Sequence, residues 1–150
     1  MNMRQTLMAV LITACLLLAG CGGDSGTGPQ CCVTLVGTWV GTHGDLTVRI
    51  TVDSVGNCSQ QYGYCEASGT GSYARTGGSS GPFNVSGQYF RDTGQSVVLF
   101  LSGFASGATT EYGGVFEAPS RLRGTLGDMS AEQSPLGVSA PGVPMTLTRQ

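Results

Sequence analysis

The 150-residue chain contains no lysine and one histidine, and only 11% of its residues are charged. Seven arginines against nine acidic residues give a formal charge of −2, which excludes the clustered basic surface that nucleic-acid binding needs. A single histidine leaves little for acid–base catalysis or metal binding. The longest apolar run is also shorter than the ~20 residues of a membrane-spanning helix. These absences argue against an enzyme, a nucleic-acid partner and an integral membrane helix.

The start of the chain has the layout of an export signal. Arg4 precedes a mostly apolar run over residues 7–19. A charged start followed by about 7–15 apolar residues is typical of a secretory signal peptide. The run ends in Leu18-Ala19-Gly20-Cys21, which resembles the lipobox of bacterial lipoproteins.

The lipobox resemblance implies cleavage before Cys21, a diacylglycerol on its sulfur and N-acylation by a chain such as palmitate. The protein would then be held in the cell envelope by a lipid anchor. The next residue is Gly22 rather than Asp, which implies the outer membrane in a Gram-negative cell. We therefore expect a lipoprotein signal peptide over residues 1–20, a lipidated cysteine and flexible tether over 21–32, and one folded domain over 33–150.

The folded domain has the periodicity of strands. Apolar residues alternate with polar ones in most of it, as in residues 46–53, and no amphipathic helical stretch is present. The pattern predicts eight strands, within residues 35–42, 46–53, 64–73, 83–89, 97–101, 112–117, 122–126 and 143–148. Residues 97–101 are continuously apolar, which predicts a strand buried on both faces, and residues 54–60 are predicted to form a turn.

Eight short strands with short connections predict a barrel or a β-sandwich. Glycines within the strands favour strong bending, so we expect an all-β fold, an eight-stranded antiparallel up-and-down barrel, with the β-sandwich as the alternative. Closure into a barrel also removes the exposed edges of a sheet.

A resemblance to known barrels supports this expectation. Val36-Gly37-Thr38-Trp39 resembles the Gly-x-Trp opening of lipocalins and avidins. The strands at 124–126 and 145–149 are similar to those of small bacterial lipoproteins of unknown function. In lipocalins the Trp packs at the closed end of the barrel under an Arg from the end of the chain, and the resemblance implies these places for Trp39 and Arg149. It implies an architecture but no ligand.

Eight large side chains fall on one face of the alternating pattern. These predicted interior residues are Trp39, Ile50, Phe83, Val85, Tyr89, Tyr112, Phe116 and Leu122. An eight-stranded barrel is either filled by its side chains or holds one small ligand. We expect a mostly filled interior, because the domain is small and has no other apolar surface from which to build a core.

Four cysteines follow Cys21, and export favours disulfides. A Cys58–Cys65 bridge would clip the second hairpin and leave Cys31 and Cys32 as neighbours. The alternative is a crossed pairing, Cys31–Cys58 with Cys32–Cys65, because pairing across the first hairpin places Cys31 next to Cys58. A zinc site is a third arrangement, although the spacing of Cys58 and Cys65 is not the usual one.

Other segments match known catalytic or cofactor-binding motifs in sequence but lack the structural context that those motifs need. Residues 77–81 spell the nucleophile elbow and residues 69–74 a dinucleotide fingerprint, but neither is followed by the helix that the motif needs. His43 and Asp45 flank a glycine in a predicted turn, where a base is neither buried nor oriented. We therefore assign no catalytic residue, no metal site and no cofactor.

Two functions are consistent with this sequence. The first is a non-enzymatic, lipid-anchored envelope protein that binds a small apolar ligand or a protein partner. The alternative is an inhibitor of an envelope-targeting hydrolase, which presents the cysteine-bounded loop over residues 54–66 and its exposed Tyr62 and Tyr64. An open apolar cavity would favour the ligand, whereas a filled barrel with a rigid protruding loop would favour the inhibitor.

Overall fold

The computed structural model describes residues 34–91, 95–129, 134–139 and 141–150. The predicted lipidation site Cys21, the predicted signal and the predicted tether lie outside the described residues. The strands are β1 (Gly37–His43), β2 (Leu46–Ser59), β3 (Tyr64–Arg75), β4 (Ser80–Phe90), β5 (Ser96–Ser102), β6 (Thr110–Ala118), β7 (Arg121–Asp128) and β8 (Val143–Arg149). Among these described residues, no helix is long and apolar enough to cross a membrane.

The eight strands form one closed antiparallel barrel. Each strand pairs with its neighbours in the sequence, and β1 closes on β8, where Trp39 lies opposite Arg149 and Val40 opposite Thr148. The predicted up-and-down barrel is therefore confirmed, and the β-sandwich alternative is wrong. Alternation works as expected along β2, where Leu46, Val48, Ile50 and Val52 are buried.

Strand β5 departs from the prediction that both of its faces are buried. Val97, Leu99 and Leu101 point inward and are buried, whereas Val98 and Phe100 are only half-buried on the outer face. That prediction is wrong because the wall of a barrel is a single sheet, whose outer side chains remain open to solvent. A continuous apolar run thus places two large residues on the outside.

Strand β2 is longer than the sequence predicts. The predicted turn over residues 54–60 belongs almost entirely to this strand, and the β2–β3 turn is residues 60–63. The pairing with β3 shifts register between Val52 and Ser54 and again between Gly56 and Ser59. Such bulges insert extra residues into a strand, and they interrupt the alternation on which the prediction depended.

Glycines permit close approach at two points of the wall. A Cβ on Gly71 would lie 2.1 Å from Cε2 of Phe83, the residue paired opposite it on β4. A Cβ on Gly87 would lie 2.1 Å from the carbonyl oxygen of Val98 on β5. Neither position could hold a side chain without moving its neighbour, so glycine at these points lets the ring pack inward and the sheet bend.

The topology gives the barrel two distinct ends. The hairpin end contains residues 34–36, the β2–β3 turn 60–63 and the β6–β7 turn 119–120. The plugged end contains the β5–β6 connection 103–109 and the segment 134–139 from the β7–β8 connection. The hydrophobic core lies between them, inside the barrel.

Candidate functional site

The barrel interior is packed with side chains. Of the eight predicted interior residues, Trp39, Ile50, Phe83, Val85, Tyr89, Tyr112 and Leu122 are buried. Phe116 is half-buried at the hairpin end, where its ring meets Trp39 edge-on at 5.8 Å and Tyr89 at 6.0 Å between centroids. All eight belong to one core cluster or pack against it. An eight-stranded barrel can be filled by its own side chains, and these eight residues contribute to such a filling.

The hairpin end is closed by residues of the first and last strands. Trp39 is fully buried, and its Nε1 donates a hydrogen bond of 2.8 Å to the carbonyl oxygen of Leu35. The guanidinium carbon of Arg149 lies 5.9 Å from the centroid of the Trp39 ring, and Nη2 of Arg149 donates to the carbonyl oxygen of Val36. Trp39 and Arg149 thus occupy the places that the lipocalin resemblance implies. A cation over an indole ring is a favourable contact.

The plugged end is closed by a loop, which the sequence did not predict. Leu136 and Val138 are buried in the core although both belong to the β7–β8 connection. Arg75 links this segment to the wall, because Nη2 donates to the carbonyl oxygen of Leu136 while Nη1 pairs with Asp45 at 2.5 Å. Two apolar residues within a segment rich in Pro, Gly and Ser show no periodicity, so no signal in the sequence separated them from an ordinary loop.

Asp128 provides the second attachment of this segment. Its carboxylate accepts hydrogen bonds from Oγ1 of Thr110 at 2.9 Å, from Oγ of Ser134 at 2.5 Å and from the backbone nitrogen of Ser134 at 3.2 Å. Thr110 and Ser134 are both buried. His43 is exposed at the same end and contacts the carbonyl oxygen of Pro144 at 3.2 Å. The carboxylate is thus occupied in holding the loop, a structural role.

Tyr112 is a buried hydroxyl with a structural role. Its OH donates to the carbonyl oxygen of Met145 at 3.4 Å. Burial, and to a smaller extent the carboxylate of Glu117, raises the pKa of Tyr112 well above its ordinary value of 10.0. The phenol therefore stays protonated at neutral pH and donates a hydrogen bond within the core.

The predicted clip across the second hairpin is present as a Cys58–Cys65 disulfide. The crossed pairing is wrong, because each of its bridges needs one of these two cysteines, and both are already bonded. The disulfide also removes both sulfurs as thiolate ligands for zinc. Cys31 and Cys32 lie outside the described residues. The bridge joins an exposed residue on β2 to a buried one on β3, and so fixes the base of the turn.

An aromatic ladder extends from this turn, formed by Tyr62, Tyr64 and Phe90. The ring of Tyr62, which is 66% exposed, stacks on Tyr64 with centroids 6.2 Å apart, and Tyr64 contacts Phe90 at 5.9 Å. A backbone hydrogen bond of 3.0 Å from Gly63 to Ser59 closes the turn. The cysteine-bounded segment is therefore a tight, exposed hairpin tip and not the loop that the sequence suggested.

Three depressions on the described surface are open to solvent. A trough of about 590 Å³ crosses the outer wall of β2–β5, and a cleft of about 610 Å³ lies at the plugged end beside Tyr73, Pro82 and Phe104. A smaller depression of about 340 Å³ lies beside Thr125 and Met129. Pockets of this size can hold ligands. Core residues form part of the lining in two of them, Ala67 in the trough and Tyr73 and Phe104 in the cleft, whereas the smallest is lined only by residues outside the core cluster.

Fold and surface together define a class of protein: a small closed β-barrel with a filled interior, whose architecture is compatible with a calycin-like fold. No protein-family model matches the chain, and no curated protein matches it in sequence. A fold of this kind supports many unrelated functions, so the function depends on what the particular surface can bind.

Proposed function

We propose that this protein is a non-enzymatic, lipid-anchored component of the bacterial cell envelope that binds a protein partner through its disulfide-stapled hairpin. The observation that carries the proposal is the combination of a packed barrel interior with an exposed aromatic tip whose base is closed by a disulfide. Of the functions expected from the sequence, binding of a small apolar ligand inside the barrel is therefore not favoured. The stable barrel serves instead as a support that holds the tip.

The tip has properties that suit a protein contact. Tyrosine contributes a large contact area and loses little conformational freedom on binding, which is why it is common at binding hot spots. Stacking on Tyr64 and the Cys58–Cys65 bridge hold Tyr62 before any partner arrives. Ordering that is already present in the free protein does not have to be supplied by the binding energy.

An inhibitor of an envelope-targeting hydrolase is the narrower form of the proposal. A four-residue turn, 60–63, that projects from a stapled base is narrow enough to enter an enzyme cleft. A partner that hydrolyses an envelope polymer, and that is inhibited by the wild-type protein but not by Tyr62→Ala, would establish this form.

Photo-cross-linking in living cells tests whether the hairpin tip contacts a protein partner. A photoreactive phenylalanine analogue replaces Tyr62 in the full-length chain, and the matched control carries it at Ser72, an exposed position toward the other end of β3. We expect one discrete cross-linked protein from position 62 and none from position 72. Cys58→Ala with Cys65→Ala should abolish the adduct while the barrel stays folded. Equal cross-linking from both positions, or none from position 62, would overturn the proposal.

The lipid anchor has its own test, in which Cys21→Ala is compared with Cys15→Ala. Cys15 lies inside the apolar run, so its replacement should leave processing and membrane association unchanged. Cys21→Ala should leave the chain unprocessed or release it from the membrane, since the thiol that receives the lipid is missing. Normal maturation and membrane fractionation of Cys21→Ala would contradict lipidation at this residue.

A further inference from the structure

A polar trough crosses four strands on the outer wall of the barrel. Its floor is a row of residues that lie side by side in register, Ser54 on β2, Ser68 on β3, Ser86 on β4 and Phe100 on β5. The trough has a volume of about 590 Å³ and is open to solvent. Three strand spacings give it a length of about 14 Å. Serines keep the floor low, because their side chains are short.

One side of the trough carries amide and carboxylate groups. Glu66 and Gln88 lie opposite each other on β3 and β4, two residue pairs closer to the hairpin end than the serine row and on the same face of the sheet. Asn57 adopts a positive φ of 46° in the bulged part of β2, and its Nδ2 donates to Oε2 of Glu66 at 2.7 Å. On the floor itself, the hydroxyls of Ser54 and Ser68 are 2.8 Å apart. Together these groups offer several hydrogen-bond donors and acceptors within a short distance.

Charge is scarce in the trough but not on the whole barrel. Among the described residues that line the trough, Glu66 alone is charged. On the wall formed by β6 and β7, by contrast, Arg121 and Arg123 both pair with Glu117, at 3.2 Å and 2.8 Å. The trough is therefore suited to a ligand that is rich in hydrogen-bonding groups and carries little charge.

The aromatic residue in the trough indicates more closely which class of ligand fits it. Phe100 stands at the end of the serine row and is only half-buried, so that its ring is available to a ligand. A pyranose ring has one apolar face of C–H groups, which stacks well on an aromatic ring, and hydroxyls around its rim. Serine hydroxyls both donate and accept hydrogen bonds, as sugar hydroxyls do.

An extended peptide fits this surface less well than a sugar chain does. Peptides that bind sheets add to an exposed edge, where unpaired backbone groups supply most of the affinity. Here β2, β3, β4 and β5 are all paired on both sides within the closed barrel, so the trough offers side chains and not a strand edge.

We propose that the trough binds a polysaccharide chain composed of neutral or N-acetylated sugars. Its length suits a short stretch of such a chain and exceeds that of a single sugar. This assignment adds a second ligand on a surface separate from Tyr62, and it does not depend on the protein partner proposed above.

The test uses the full-length chain in detergent, titrated with N-acetylglucosamine tetrasaccharide and with a glucose oligomer of the same length, and followed by calorimetry. Phe100→Ala is compared with Val98→Ala, its half-buried neighbour on the same face of β5. Ser68→Arg, which fills the centre of the trough, is compared with Ser72→Arg on the same strand. Thermal unfolding of each variant establishes that the barrel is intact.

We expect saturable binding of at least one of the two oligosaccharides by the wild type. Phe100→Ala should weaken it by about tenfold or more, and Ser68→Arg should abolish it, since the side chain occupies the sugar's place. Val98→Ala and Ser72→Arg should stay within about twofold of wild type. No saturable binding of either sugar, binding that survives Ser68→Arg, or tighter binding of an uncharged peptide of similar length would each overturn the proposal.

Discussion

The two ends of the barrel both exclude water from one core, but they do so with different kinds of contact. At the hairpin end, closure depends on strand residues, since Trp39 and Arg149 face each other across the β1–β8 seam. At the plugged end, Leu136 and Val138 enter the core from a loop, which polar contacts of Arg75 hold in place.

This difference has a consequence for local stability. A residue on a paired strand can leave the core only if the sheet itself opens, whereas a loop can lift away when its polar contacts break. Segments with few apolar contacts and exposed ties open at lower free energy than core strands. The plugged end should therefore open first, and the hairpin end should hold its stapled tip rigid until the whole barrel unfolds.

Trp39→Ala should have the largest effect, because it removes the largest fully buried side chain and the closure of the hairpin end. We expect it to lower the free energy of unfolding by about 3–5 kcal/mol. Urea denaturation followed by circular dichroism measures this loss. Tyr62→Ala, which removes an exposed ring at the same end, should stay within about 0.5 kcal/mol of wild type. A similar loss from both variants would show that closure of this end does not depend on Trp39.

Leu136→Ala should cost less, about 2–4 kcal/mol, because a loop can partly collapse into the space left behind. The matched control is Met129→Ala, whose side chain is 58% exposed in the same connection and should contribute almost nothing. Hydrogen exchange should show faster opening of residues 134–139 in Leu136→Ala, with the hairpin end unchanged. Faster exchange at both ends to the same degree would contradict separate closure of the two ends.

Removing the disulfide with Cys58→Ala and Cys65→Ala should destabilise the protein by about 2–3 kcal/mol, the entropy that a short loop regains in the unfolded chain. The hairpin tip should then exchange its amides nearly as fast as the plugged end does. If exchange at residues 60–63 stays as slow as in the wild type, the tip is held by its aromatic ladder and not by the staple.

Tyr112→Phe should have the smallest effect at neutral pH, a loss of about 1 kcal/mol for one buried hydrogen bond. Its signature is the pH dependence. Because the pKa of Tyr112 is raised in the folded protein, the unfolded chain releases this proton first, and wild-type stability should fall above pH 10.0. Tyr112→Phe should lack this part of the fall, so that the two stability curves approach each other as the pH rises. Parallel curves up to pH 11 would contradict a raised pKa.

Sequence patterns predicted the features of this fold that repeat along strands, and missed those that arise between them. Alternation was sufficient to predict the eight strands and the barrel. The Cys58–Cys65 bridge was one of the pairings that the sequence left open. Alternation did not reveal the bulges that extend β2, because a bulge interrupts the period of two by which a strand is recognised. It also missed Leu136, whose burial depends on where a loop folds back.

The exposed tip could be predicted from the sequence, whereas the trough could not. Tyr62 lies between two cysteines that are close in sequence, so its exposure could be expected from local composition. Ser54, Ser68, Ser86 and Phe100 come from four strands and meet only through the register of three strand pairs. Register depends on turns and bulges, and no spacing in the sequence brings these four residues together.

If the barrel acts through its outer surface, as we propose, its interior encloses no ligand. Trp39 is the only tryptophan in the chain and is fully buried in the core, so its fluorescence reports directly on the interior. The measurement is a titration of the wild-type protein with apolar molecules that range from palmitate to a porphyrin. We expect no saturable change in Trp39 emission with any of them. A saturable shift or quenching at a stoichiometry near one would contradict it.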